Sequence, residues 1–187
     1  MNNTKVKLPI FYEFSDLVLK EVGDMHILER GDFTLDFNSS TALPKAFKCI
    51  PLEDYDFSTP NIVEKFREIQ DHFKIEYNVE SNISVLYPPS GFIGWHTNAN
   101  QNRYNAICTF SETGDGEFRY FEDNTKIVKD IKGWTVKQSE WFNESIPHMA
   151  FTNCNRITIA FTSKNKKDID VFIKNISKNK PTQWLIE

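Results

Sequence analysis

From residue 82 onward, apolar residues recur at every second position, and a segment patterned this way forms strands rather than helices. Ile83, Val85 and Tyr87 alternate with polar or smaller neighbours, and Tyr104, Ala106, Cys108 and Phe110 alternate with Asn105, Ile107 and Thr109. Shorter runs of the same kind are expected at 117–121, 126–129, 134–137, 149–152 and 156–162. Turn-formers separate them: Ser111 to Gly116 carries two glycines, and Asn153, Cys154 and Asn155 fit a tight turn. Short strands with turns every ~8–12 residues predict a β-sandwich or barrel.

The first 80 residues have a different texture. Ile62, Phe66, Ile69 and Phe73 fall on one face at helical spacing, so 60–73 is read as a helix packed on a sheet. Thr59 stands at its N-cap and Pro60 at its first position. Residues 10–22 are expected to form a strand and then a short helix, and 31–57 an irregular stretch with a strand or two. Residues 164–187 are expected as a peripheral helix or edge strand. At 187 residues and 21.9 kDa, one domain is the expectation, with 1–80 as support, 81–163 as the β core and 164–187 at the periphery.

Composition narrows the function classes. A net charge of −4 gives no electrostatic footprint for nucleic acid, so such a partner is not expected. Sixteen Phe against seven Gly is the composition of a packed core, not of a disordered chain. No apolar run approaches the ~18–20 residues of a membrane span, and no signal-peptide stretch follows the polar start. Cys49, Cys108 and Cys154 form no CxxC pair, which fits a reducing, cytoplasmic setting. Four His and three Cys are the whole stock of soft metal ligands, so metal chemistry would need oxygen donors as well.

Three pieces of the β region carry chemistry. In Trp95-His96-Thr97-Asn98, residues two apart in a strand present an imidazole and an amide oxygen to one point. His148, fifty-two residues on, could supply a third donor from another strand. In 156–162, Arg156, Thr158 and Ala160 share one face while Ile157, Ile159 and Phe161 share the other. A guanidinium in so apolar a strand needs an anionic partner, either a protein carboxylate or a ligand carboxylate. His26 and His72 read as ordinary structural residues.

The order of these pieces resembles the core of the Fe(II)/2-oxoglutarate-dependent dioxygenases. The matching text is Tyr87-Pro-Pro-Ser-Gly91-Phe-Ile-Gly94-Trp95-His96-Thr-Asn98, then Gly114-Asp-Gly116-Glu-Phe118, Gly133-Trp134-Thr-Val136, Pro147-His148 and Arg156-Ile-Thr158. It covers roughly 80 of the 187 residues, and the entry into His96 is most similar to the prolyl-hydroxylase branch. The resemblance implies a double-stranded β-helix, or jelly roll, of the cupin-like type. It implies Fe(II) on His96, Asn98 and His148, with 2-oxoglutarate as co-substrate. The distal carboxylate of that co-substrate would pair with Arg156, Thr158 would hydrogen-bond to it, and Tyr87 would add a phenol contact or line the entrance. Trp95, Trp134 and Phe118 are candidate cavity walls.

One residue departs from the family pattern: Asn98 stands where an Asp or Glu is usual. Three readings stay open. Asn98 ligates iron through its carbonyl oxygen, or the site binds iron loosely and becomes competent with 2-oxoglutarate present. Or water or another residue, such as Glu117, takes the position. Or the chain is an inactive jelly-roll protein that binds a metal or ligand without turnover. A hydroxylase of a small-molecule or peptide substrate, releasing succinate and CO2, is the function the resemblance implies.

Overall fold

The computed structural model describes residues 3–38, 40–97, 103–139 and 146–178; all statements below concern these. Helix α1 spans Pro9–Glu21, after the short strand β1, Asn3–Lys5. This replaces the expected strand-then-helix: Ile10, Phe11, Phe14 and Val18 are buried at spacings that only a helix brings to one face. Pro9 suits its first turn because the missing N–H would have no partner there.

Strands β2, Leu28–Arg30, and β3, Phe47–Pro51, come from the irregular stretch. Helix α2 runs over Pro60–Tyr77, with Ile62, Phe66, Ile69 and Phe73 buried as the spacing predicts. Thr59 takes the N-cap position, but its hydroxyl donates to the Glu21 carboxylate rather than capping the backbone. The helix ends at Asn78 in the left-handed conformation, φ 55°, whose N–H closes on the Lys74 carbonyl.

The remaining strands follow the alternation closely. They are β4 Glu80–Tyr87, β5 Phe92–His96, β6 Tyr104–Ser111, β7 Gly116–Glu122, β8 Asn124–Lys129, β9 Gly133–Ser139, β10 His148–Thr152 and β11 Arg156–Ser163. The last described element is helix α3, Lys166–Ile176, whose N-cap Asn165 side chain accepts from the Lys167 N–H. Of the two expectations for the tail this is the helix, and it is a core element: Ile169, Phe172 and Ile176 are buried.

The pairings between these described strands are antiparallel and order them β1-β9-β6-β11-β4-β3-β5-β10-β7-β8, with β2 beside β3. The sheet curls on itself at β3, which pairs with β4 through Ile50 and Pro51 and with β5 through Phe47 and Lys48. The result is a double-stranded β-helix with two facing halves. The half containing β9, β6, β11 and β4 is two-faced. Ile157, Ile159, Phe161, Ala106, Cys108, Phe110, Trp134 and Val136 turn to the three helices and form the main core with them. Arg156, Thr158 and Ala160, with Ile83, Val85 and Tyr87, turn to a cavity between the halves.

Aromatic rings tie the helical layer to the sheet. Phe73 stacks on Phe11 at 5.6 Å between centroids and meets Phe161 and Phe172 edge-on at 5.3 and 5.2 Å. Trp134 belongs to this core, with its indole N–H on the Ser15 hydroxyl at 3.2 Å, and so is not a cavity wall. A Phe73→Ala protein is expected to lose ~3–5 kcal/mol of unfolding free energy, because one ring leaves a void against several partners. Urea unfolding measures it, and a loss under ~1 kcal/mol would contradict this packing.

Candidate active site

Strands β5 and β10 lie side by side with His96 and His148 directly opposite each other. Their ring centroids are 4.3 Å apart, so two imidazoles from positions fifty-two residues apart share one location. Each ring is held by the backbone just before it. Nδ1 of His96 lies 2.8 Å from the Gly94 carbonyl, and Nδ1 of His148 lies 2.9 Å from the Ile146 carbonyl. A carbonyl only accepts, so both Nδ1 atoms carry the proton and both Nε2 atoms carry the lone pair in the neutral rings. That is the tautomer a metal ligand requires.

A β-bulge sets the aim of His96. The β10–β5 register shifts between His148, opposite His96, and Ala150, opposite Ile93. Ile93 and His96, three apart in sequence, therefore both line the cavity. Trp95 is buried with its ring edge-on to Phe37 at 5.1 Å and is not among the cavity-lining residues, contrary to expectation. Gly94 is needed here because a Cβ would come 2.9 Å from the Ala46 carbonyl, which accepts the Gly94 N–H at 2.8 Å.

Asn98, together with Asn100 and Asn102, lies outside the described residues. Among the described residues no three His, Cys, Asp or Glu side chains gather as a metal cluster. Glu117 does not fill the third position: its carboxylate accepts from Arg119 Nε at 2.5 Å and from Lys129 Nζ. Its neighbour Phe118 is the one that faces the cavity, 5.5 Å from His148 between centroids.

The opposite wall holds the cationic end. Arg156 is 1% exposed and lines the cavity with Thr158 and Tyr87. The question of its anionic partner has a protein answer in part: Nε donates to Asp130 Oδ2 at 2.7 Å. Nη1 donates to the Thr158 hydroxyl at 2.6 Å, which leaves the Thr158 proton for another acceptor. Of five N–H donors, three have no partner among the described residues. The guanidinium lies over the Tyr87 ring, 5.3 Å from its centroid. Burial pushes the Tyr87 phenol above its ordinary range, so it stays a donor.

Between the two ends lies a cavity of about 230 Å³ walled by Ile83, Ile93, Ile107 and Phe118 and roofed by Leu43 and Pro44. That is below the ~300–1,000 Å³ of drug-sized pockets and suits a small metabolite. Thus the structure gathers His96, His148, Arg156, Thr158 and Tyr87 around one space. Sequence reasoning missed Asp130 and Lys137, whose ammonium lies 3.1 Å from Asp130 Oδ1. Lys137 falls in the expected 134–137 strand, on the face of Thr135, and that alternation was the signal available.

No protein-family model and no curated protein matches the sequence. Solved structures do. A prolyl-4-hydroxylase from Pseudomonas putida superposes with a TM-score of 0.50 at 12% identity, over 88% of this chain and 91% of that one. A 2OG-Fe(II) oxygenase family oxidoreductase from Burkholderia pseudomallei gives 0.49 at 14% identity, over 84% and 83%. A prolyl hydroxylase from Trichoplax adhaerens, in complex with a hypoxia inducible factor peptide fragment, gives 0.45 at 11%, over 91% and 84%. At such identity the first likeness establishes a shared fold, the double-stranded β-helix.

Burial, and secondarily the neighbouring His96, push the His148 imidazole down to about 3. In the unfolded chain it would titrate near ~6.5. The unfolded state therefore binds more protons between these values, so metal-free protein loses stability as pH falls from about 6.5 towards 3, by at most ~1.4 kcal/mol per pH unit from this group. Urea unfolding of wild type and His148→Phe measures it. The wild type should show the steeper acid loss, and parallel curves would contradict the assignment.

Proposed function

We propose that this protein is an Fe(II)- and 2-oxoglutarate-dependent oxygenase acting on a small-molecule or peptide substrate. The observation that carries the reading is one cavity with two tautomer-fixed imidazoles on one wall and a buried guanidinium with unused donors on the other. A plain binding pocket has no need of both.

His96 and His148 would hold the ion through Nε2, and Asn98 is assigned the third protein position from the sequence. Bound iron would supply O2 activation, coupled to decarboxylation of 2-oxoglutarate to succinate and CO2. Arg156 would take the distal carboxylate through its remaining N–H groups, with the Thr158 hydroxyl donating beside it. The Tyr87 phenol would hold the co-substrate from a third side. Ile83, Ile93, Ile107 and Phe118 would keep water out, which strengthens each of these contacts and protects against side reactions. Among the described residues no helix is long and apolar enough to cross a membrane. Three buried free cysteines fit a reducing compartment, and cytoplasmic placement is part of the proposal.

Purified protein is expected to bind about one equivalent of Fe(II) without oxygen and to release succinate from 2-oxoglutarate in air. Arg156→Ala should weaken 2-oxoglutarate binding ~30-fold or more, the usual loss when one member of a buried charged pair is cut. Calorimetry with Mn(II)-loaded protein reads this directly. Unchanged binding in that variant would remove the co-substrate assignment. Metal and 2-oxoglutarate binding without succinate release would favour the inactive binding protein, and Asn98→Asp gaining turnover would then identify the neutral donor as the cause.

A further inference from the structure

The co-substrate reading uses Arg156 but leaves Lys137 and Asp130 without a task, although both are buried on the same side of the sheet. Lys137 is 0% exposed, and the Asp130 and Arg156 side chains are each 1% exposed. One carboxylate stands between two cations: Oδ1 faces Lys137 Nζ at 3.1 Å and Oδ2 faces Arg156 Nε at 2.7 Å. With all three ionised the cluster carries one net positive charge.

The register places this charge at the cavity. Lys137 pairs with Ile107, and Ile107 with Ala160, and both of those line the cavity. Thr135, Thr109 and Thr158 form the next row across the same three strands. The buried Thr109 hydroxyl has no hydrogen-bond partner among the described residues. Gly116 makes room for the carboxylate, since a Cβ there would lie 2.5 Å from Asp130 Oδ2. An uncompensated charge in such a place costs several kcal/mol unless an anion joins it.

We propose that Lys137 and Asp130 are positioning residues for a carboxylate ligand: Lys137 holds Asp130 to one edge of Arg156, so that the guanidinium keeps one unit of charge and its remaining donors for a single carboxylate group. Without Lys137, Asp130 would neutralise Arg156 and the subsite would lose its charge. The inference rests on the co-substrate reading and adds a pH dependence to it.

Few groups near Lys137 titrate near neutrality. Cys108 on β6 feels Lys137 from the helical face of the sheet, and burial pushes that thiol up, so it stays neutral. Burial likewise raises Tyr87 on β4. Burial works to raise the Asp130 carboxyl, but Arg156 and Lys137 outweigh it and hold it below its ordinary value. Asn3 of β1, opposite Lys137, is uncharged. Burial, with Arg156 adding to it and Asp130 opposing, brings Lys137 down to about 8. Below that pH the cluster holds its extra charge; above it, Lys137 gives up its proton and the cluster is neutral. Carboxylate binding favours the protonated form, so affinity should fall as pH rises through 8.

Calorimetric titration of the full chain with glutarate tests this, because glutarate has the carboxylates but no keto acid to chelate a metal. The dissociation constant should rise about tenfold between pH 7.5 and 9.5 in wild type, by linkage to one proton. Lys137→Met should bind about tenfold more weakly at pH 7 and show no such rise. The double variant Lys137→Met/Asp130→Asn restores one net charge and should recover to within about threefold of wild type, again without the rise. A purely structural role predicts that the double variant is no better than the single one. A flat wild-type profile, or a folded double variant as weak as Lys137→Met, would overturn the proposal. If neither variant folds, the wild-type profile alone decides. Glutarate binding with this pattern but no succinate release from 2-oxoglutarate with Fe(II) would sink the oxygenase reading and leave this one standing. No glutarate binding at any pH would end this proposal, while the oxygenase reading would still stand or fall on succinate release.

Discussion

Strand β11 has to satisfy two interiors at once, and the rest of the molecule is arranged around that demand. Its odd-numbered residues Ile157, Ile159 and Phe161 are fully buried against the helices. Its even-numbered residues Arg156, Thr158 and Ala160 line the cavity. A strand offers a period of two and nothing else, so each side needs its own cover. On the helical side the cover is α1, α2 and α3. On the other side it is the second half of the curled sheet, which brings the two histidines with it.

The cavity side shows how a buried guanidinium is tolerated. Removing such a group from water is expensive, and one well-placed carboxylate offsets most of the cost. Here that carboxylate is shared with a second buried cation, so compensation is incomplete. The histidine wall is organised on different terms. Each ring is held by a backbone carbonyl two residues earlier in the chain. One end of the cavity is thus set by charge and the other by hydrogen-bond direction.

Much of this was legible in the sequence, and the omissions have physical causes. The alternation in 83–87, 104–110 and 156–162 specified both the strands and their faces, because burial on each side leaves no freedom of register. The α2 stripe was equally plain. Helix α1 was obscured because Phe11 and Tyr12 are residues that strands also favour, and only the wider spacing from Ile10 to Val18 separates the two. His96, His148 and Arg156 could be picked out because rare residue types stand at fixed strand positions. Asp130 could not: it lies at the end of β8, twenty-six residues from Arg156, and only the folded turn brings them together. The bulge in β5 was also invisible, since one extra residue changes facing without changing composition, and it is why Ile93 lines the cavity three residues before His96.

Strand β3 has a consequence for how the cavity can vary. It is five residues long and is the seam through which the histidine half and the arginine half are joined, with backbone bonds to β4 on one side and β5 on the other. The separation between the two chemical ends is therefore a property of main-chain pairing. Substituting Ile83, Ile93 or Ile107 would resurface the space without changing its span. The two ends act like the jaws of a caliper whose setting is fixed by the hinge, so a ligand too long for the gap cannot be admitted by trimming side chains alone.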